Sequence, residues 1–436
     1  TGVPNFNPFA KLDNPKAVWA WAMYDLANQS FQLVINTLLF GVYLQKVVAR
    51  SEDDGRRFWS YLVSGSLIVV VVLSPVIGAM VDAKSCKARL LVLSGLAASI
   101  LTACLALVGK DQLWLAAALY IPAAILVGLG ENVLAAFLPD LASPRNMGFV
   151  SALGWTMSYV GAIVLQLAVL LGVAVFDWKT PEQWRPLFVF SGVWFALGVI
   201  PSMLFLRDRP RGVGADTREW IIAAAFRRLG QTIREAVRYR QLKTFLLVFF
   251  VYSLGTQTAV YFAGSIATDF GFSTQELFLM TLLLSLSAGA TSVVLAKYQD
   301  RWGSVPTLRG VLAVWFVTIG SIAALYYWHA PKAALWIPAA GIGIGFGGIG
   351  TASRALVGCF TPPEKSAEFF GLWGMIYKGA GVAGPFIFAW VWSKVGATAA
   401  LAIMCSFFVL GALLLYLVKE REGIAAVTVP APTQSA

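Results

Sequence analysis

Runs of about twenty apolar residues, separated by short polar segments, recur along this 436-residue chain from Val18 to the neighbourhood of Val418. A helix needs roughly 20 largely apolar residues to cross ~30 Å of hydrocarbon, so this pattern predicts a row of membrane-spanning helices. Six fall near residues 18–44, 59–81, 90–108, 113–137, 150–175 and 186–206. Six more fall near 244–267, 275–296, 307–327, 333–353, 368–392 and 396–418. A closed β-barrel would show short alternating segments instead. The expected fold class is an all-α membrane protein with about twelve transmembrane helices in two six-helix, pseudo-symmetric bundles. The longest polar stretch, 207–243, divides bundle 1–206 from bundle 244–420. Within it Asp216 and Glu219 suggest a capping box, and Ile222, Phe226, Leu229, Ile233 and Val237 recur at helical spacing. That pattern predicts an amphipathic helix lying on a membrane surface. The tail, 421–436, ends in Pro, Thr, Gln and Ser and is expected to be disordered.

Composition agrees with a lipid environment. Hydrophobic residues make up 58% of the chain and charged ones 13%, and the mean hydropathy is +0.73, an excess of apolar surface that only lipid can cover. The net charge of +11 raises the possibility of nucleic acid. The basic residues, however, sit in short loops between spans, where they act as topology signals. Of the 33 Lys and Arg, 23 fall on the side of the N-terminus and 8 on the other, which predicts that both termini are cytoplasmic. The first 16 residues are polar, so no cleavable signal peptide is expected. Cys86, Cys104, Cys359 and Cys405 are scattered and have neither disulfide nor metal spacing, so no metal or cofactor is expected. No GxSxG, HExxH or Walker sequence occurs, which argues against an enzyme. The Gly343 to Gly348 stretch matches GxGxxG but lies inside an apolar span, where glycines allow close helix packing or a flexible helix.

The two halves repeat each other. Tyr24-Asp25-Leu26-Ala27-Asn28-Gln29 is echoed by Tyr252-Ser253-Leu254-Gly255-Thr256-Gln257, at an offset of 228 residues. Gly78 with Asp82 is echoed by Ala296 with Asp300, followed by Arg301 and Gly303, at an offset of 218. Pro144 corresponds to Pro363 at an offset of 219, which brings Tyr159 opposite Lys378. A repeat of six spans about a basic central loop resembles the major facilitator superfamily, whose halves rock about a midplane site. Gly78, Asp82, Lys84, Lys87 and Arg89 loosely fit that superfamily's loop motif, with Cys86-Lys87 in place of the usual Gly-Arg. There the Asp would face a helix N-terminus or a neighbouring Arg and hold one gate shut. Asp82, Arg89, Asp300, Arg301 and Arg354 are the expected gate residues.

A narrower resemblance rests on Trp21 to Asn28, Phe137 to Leu141, Ser151 to Trp155 with Tyr159 to Gly161, and Glu368 to Gly371 with Lys378 and Gly384-Pro385. These segments are similar to the major facilitator permeases typified by the fungal autophagy-related vacuolar amino-acid effluxer and its bacterial relatives. The resemblance implies a uniporter or proton-coupled carrier, amino acids as one solute class, and residence in a bacterial inner membrane.

The residues themselves point to a wet crevice. Asp25, Asn28, Gln29, Gln32 and Asn36 form one polar stripe on the first span, which must face a cavity or a satisfied helix interface. Trp155, Ser158, Tyr159, Ala162 and Gln166 share a face of the fifth span, with Tyr252, Thr256, Gln257 and Tyr261 on the seventh. Lys378, near the middle of the eleventh span, needs a partner there and could find Asp25, Glu131 or a solute's carboxylate or phosphate. The expected solute contacts are Asn28, Gln29, Gln32, Trp155, Tyr159, Tyr252, Gln257, Tyr261 and Lys378. Asp25 and Glu131 are the expected proton-coupling carboxylates, with a salt bridge from Glu131 to Arg145 or Arg354 as the alternative. His329 is expected in a solvated loop. The chain is thus read as a monomeric carrier of a small polar or amphiphilic solute. Its alternatives are a carrier of drugs or siderophores and, from another class, a non-transporting receptor or scaffold. Its partners are the bilayer, the solute and, under coupling, protons.

Overall fold

The computed structural model describes residues 8–9, 12–178, 180–208 and 221–428. Spanning helices α1 to α6 are Pro15–Val48, Glu52–Lys84, Lys87–Leu107, Leu113–Leu141, Met147–Val175 and Pro181–Phe205. Helices α7 to α10 are Arg240–Asp269, Gln275–Trp302, Ser304–Tyr327 and Lys332–Cys359. The last two are α11, Ser366–Val395, and α12, Ala397–Leu417. Eleven of the twelve are both long and apolar enough to cross a membrane among the described residues; α11 has the length, 30 residues, but Lys378 and its glycines dilute its apolar character.

Local chemistry sets many boundaries. Asn14 accepts from the amide of Ala17 at 3.3 Å, and Pro15 follows it, so α1 starts there. Ser51 caps α2, whose first turn holds Glu52, Asp53 and Asp54 against the positive helix end. Ser273 and Glu276 form a capping box at the start of α8. A feature that apolar spacing did not announce is the π-helical stretch Ser30–Leu39 within α1, repeated at Leu44–Val48. Its i→i+5 bonds widen the turn just where the polar stripe runs.

The packing of the halves follows one plan. In the first, α1 packs on α5 and α6, α3 on α4 and α6, and α2 on α4. In the second, α7 packs on α11 and α12, α9 on α10 and α12, and α8 on α10. Each pairing is the earlier one advanced by six helices. The halves meet through α2 on α11 and α5 on α8, again an equivalent pair, with further contacts of α5 on α10 and α4 on α11. The α2–α11 seam needs glycine: a Cβ on Gly371 would lie 2.6 Å from the Ser74 carbonyl oxygen, and one on Gly78 would overlap the Ala367 carbonyl. The glycines of α10 serve packing as well, with Gly350 against Trp155 and Gly347 against the Ala288 carbonyl.

A linker helix spans Ile221–Arg238, whereas Asp216 and Glu219 lie outside the described residues. Ile233 and Val237 are exposed on it while Thr232 and Ala236 face the protein. The chain beyond Leu417 departs from expectation, because Glu420–Thr428 is a helix rather than a disordered tail; residues 429–436 lie outside the described ones. Glu420 anchors this helix by accepting from the amides of Ser304 and Val305 at 2.9 and 3.0 Å. Gly423 packs on Phe360.

Candidate solute site and gate

The polar stripe of α1 looks inward. Asn28 Nδ2 and Gln32 Nε2 both donate to Glu131 Oε1 of α4, at 3.0 and 2.6 Å. Gln29 Nε2 donates to Ser158 Oγ of α5 at 2.7 Å. Asn36 accepts from the hydroxyl of Tyr120 at 2.6 Å. Gln32 and Asn36, four residues apart, share this face, and Asn36 Nδ2 lies 3.5 Å from Gln32 Oε1. The helix thus turns a set of amides toward one carboxylate.

Glu131 Oε2 remains for the opposite half. Lys378 Nζ of α11 lies 3.5 Å from it, with side chains 13% and 30% exposed for the lysine and the glutamate. The lysine stem reaches across beside Gly128 of α4, where an added Cβ would lie 3.5 Å from Cε. A partly accessible ion pair at mid-span, between helices of different halves, is what a solvated crevice permits and acyl chains forbid. Around it stand half-buried Tyr159 of α5 and Tyr377 of α11. Tyr261 of α7, 45% exposed, lies near Tyr120 and Tyr377. Gln257 sits against Gly381 of α11, 2.6 Å from where a Cβ would be. Phenol and amide edges therefore surround one acid and one base.

A second inter-half ion pair lies toward the face where the chain's described ends emerge. Arg354 Nη1 of α10 donates to Asp25 Oδ2 of α1 at 2.7 Å, Nη2 to the Ser151 carbonyl at 2.8 Å and Nε to Ser151 Oγ at 3.3 Å. The guanidinium lies over the rings of Trp21 and Trp155, at 4.7 and 5.2 Å. With five donors and a flat face, arginine suits this enclosed position as lysine would not. Trp21 is itself held by donating to the Leu134 carbonyl at 2.7 Å.

Closer to that face two carboxylates, in the last turns of α2 and α8, close the structure in equivalent ways. Asp300 accepts from the amides of Gly148 and Phe149 at the start of α5, at 2.8 and 2.9 Å. Asp82 accepts from the amide of Glu368 at the start of α11, at 2.8 Å. Each carboxylate caps the N-terminus of a helix in the other half, where unpaired amides and the helix dipole favour negative charge. Lys87 adds contacts to Asp140 at 2.7 Å, to the Ala136 carbonyl at 3.2 Å and to Ser366. The linker helix joins in through Thr232 with Glu368 and Glu235 with Lys365. The molecule is therefore shut on this face.

Several expectations change. Arg89 and Arg301 are exposed, and among the described residues neither enters an ion pair; Lys87, present in the loop motif but not chosen, does the bridging. Tyr252 is fully buried, with its hydroxyl 2.7 Å from Ser353 Oγ, so it packs α7 on α10 instead of meeting solute. Its repeat partner Tyr24 is buried too. Trp155, expected to meet solute, stacks on Arg354 and Tyr159. Glu131 pairs with Lys378, not with Arg145 or Arg354. Asp25, expected to couple protons, is ion-paired with Arg354 at 2.7 Å. Sequence reasoning missed Ser151, Trp21 and Tyr377. Trp21 and Ser151 stood inside the motifs quoted above, and Tyr377 adjoins Lys378, but nothing in spacing shows which ring meets which cation.

The two-bundle fold is shared with known transporters. The human organic anion transporter MFSD10 superposes with a TM-score of 0.72 at 17% identity, covering 92% of this chain and 99% of that one. The proton:xylose symporter XylE gives a TM-score of 0.72 at 15% identity, covering 94% and 96%. In sequence, the uncharacterized MFS-type transporter YxiO of Bacillus subtilis is 26% identical over 423 residues, 95% of this chain and 96% of that protein. Autophagy-related protein 22 of Saccharomyces cerevisiae is 21% identical over 398 residues, 80% of this chain and 74% of that protein. The description "vacuole effluxer Atg22 like" matches residues 54–428, so the chain belongs to the Atg22-like family of major facilitator transporters and is a multi-pass membrane transporter.

Proposed function

We propose that this transporter carries small zwitterionic solutes, amino acids foremost, by alternating access between the bundles 1–206 and 244–420, with 207–243 as the basic linker. The observation that carries the reading is the Glu131–Lys378 pair, one charge from each half, at 3.5 Å. An α-amino acid presents an ammonium and a carboxylate at similar separation, so it can enter between the two and satisfy both: the ammonium against Glu131 and the carboxylate against Lys378. Gln29, Gln32, Tyr159, Gln257 and Tyr261 then offer hydrogen bonds and apolar rings to the remainder, a mixture suited to an amphiphilic solute. The name of the yeast relative's family, a vacuole effluxer, supports export as the direction.

On this reading the closed face is cytoplasmic, in accord with the excess of Lys and Arg there, the membrane is a bacterial inner membrane and the monomer is the working unit. The test is a thermal-shift screen of amino acids, organic acids, peptides and siderophores against the purified protein. Amino acids should raise the unfolding temperature of the parent and not of Lys378→Ala. Equal stabilisation of both proteins removes Lys378 from the site, and stabilisation by siderophores alone favours the other class of cargo.

A further inference from the structure

We infer that this carrier returns empty, so that it performs net transport without an obligatory counter-solute or proton. The inference takes the Glu131–Lys378 site from the reading above and adds a count of charge. Two acidic and two basic side chains face one another between the halves: Asp25 and Arg354 at 2.7 Å, and Glu131 and Lys378 at 3.5 Å. The other titratable groups turned toward them from the packed helices are the phenols of Tyr24, Tyr159 and Tyr377, with Tyr261 and Tyr120 beyond them. Phenols are neutral at physiological pH. Two acids and two bases therefore cancel, and each acid has a base from the opposite half.

This balance decides what can cross the barrier. For a carrier to reorient, its site must pass through an occluded form shut from water on both sides. A lone charge there is strongly disfavoured, because desolvation is compensated only by a close partner. A site holding one unpaired charge is consequently trapped until a solute or proton neutralises it, which makes transport an exchange or a coupled cycle. Here the empty site carries its own counter-charge. Asn28 and Gln32 occupy Glu131 Oε1 and leave Oε2 to the lysine, so the acid is held ready to accept Lys378 whenever solute leaves. A zwitterion brings one charge of each sign and departs with both. Loaded and empty sites are thus equally neutral, and both can reorient.

Replacing Lys378 by Gln leaves Glu131 without its base. That variant should be held in one form when empty, and neutralising Glu131 as well should free it again. The empty protein provides a readout that needs no solute. Lys84 and Arg301 are exposed residues in the last turns of α2 and α8, in opposite halves on the closed face, and spin labels placed there, with Cys86, Cys104, Cys359 and Cys405 replaced by Ser, report its opening. In solute-free liposomes the parent and Lys378→Arg should each show two distance populations. Lys378→Gln should show one population, its minor form reduced at least about tenfold, and the Glu131→Gln/Lys378→Gln double variant should regain both. A parent that stays in one form until leucine is added, or a Lys378→Gln variant that interconverts like the parent, overturns the inference.

A flux measurement completes the test. Liposomes loaded with labelled leucine are diluted into buffer with or without external leucine, and the parent should release label at rates within about twofold in the two buffers. Exchange at least tenfold faster than net release, or net release that needs an imposed pH gradient, sinks the inference alone. If no leucine moves in either buffer while the spin-label populations follow the charge pattern, the amino-acid reading fails and the charge argument stands.

Discussion

Arg354 and Asp25 meet at 2.7 Å although 329 residues separate them in the chain, and their contact joins α10 of one half to α1 of the other. Both side chains are largely enclosed, at 4% and 14% exposure. Ion pairs in such places are poor sources of net stability but costly to halve, since the surviving charge keeps its desolvation penalty.

Arg354→Ala is therefore expected to destabilise the protein by about 3 to 5 kcal/mol, part of it from packing lost against Trp21 and Trp155. The double variant Asp25→Asn/Arg354→Ala should recover a measurable share relative to Arg354→Ala, because no lone charge remains. Thermal unfolding in detergent, run on both single variants and the double, checks the sign; an additive double would show that the pair is not coupled.

The capping carboxylates make a smaller and more directional contribution. Loss of an N-terminal cap costs about 1 kcal/mol, or roughly fivefold in a two-state population. Asp300→Ala and Asp82→Ala should each favour the form open on the linker-helix face. Cys359 is buried at the end of α10 beside that face, 6% exposed, so maleimide should label it several-fold faster in either variant, with Cys86, Cys104 and Cys405 replaced by Ser. Unchanged labelling in both would remove the caps from the gate.

Gly371→Val should act through shape alone. Its side chain would meet the Ser74 carbonyl where even a Cβ comes within 2.6 Å, and overpacking of this kind costs roughly 1 to 3 kcal/mol. Since the α2–α11 seam is tightest in the closed form, the same Cys359 labelling should rise and transport should fall. A variant that labels like the parent would mean that the seam relaxes around the added methyls.

Two buried polar contacts separate solute binding from packing. Gln32→Ala removes the 2.6 Å bond to Glu131 and should raise the KM for solute about tenfold, the effect of a charge-assisted bond. Tyr252→Phe removes a bond to Ser353 inside one half and should lower stability by about 1 kcal/mol with KM unchanged. A KM shift in Tyr252→Phe would place that ring in the site after all.

The sequence reading and the structure agree most closely where a repeat carried the argument. Asp82 and Asp300, 218 residues apart, stand at equivalent points of the two halves. Their acceptor roles at α11 and α5 are likewise equivalent. A helix start always offers free amides, so a repeated Asp beside a repeated helix start has a generic partner. Charged side chains at mid-span have no such generic partner. Lys378 was legible as a residue in need of an acid, yet the choice among Asp25, Glu131 and solute depended on how far α11 leans over Gly128.

Apolar run length and charge asymmetry between loops are properties of the chain that hold whatever the helices do next, because water and lipid impose them locally. Those properties by themselves determined the row of spans, α11 excepted in apolar character, and the need for a wet interior around the α1 stripe. Pairing across the halves belonged to the tertiary structure: Arg354 to Asp25 and Lys378 to Glu131, Tyr252 withdrawn into packing, Lys87 in place of Arg89. Such choices turn on interhelical distances of an ångström or two and on the π-helical turn of α1, which sum contributions from residues far apart in sequence and so leave no mark in local spacing.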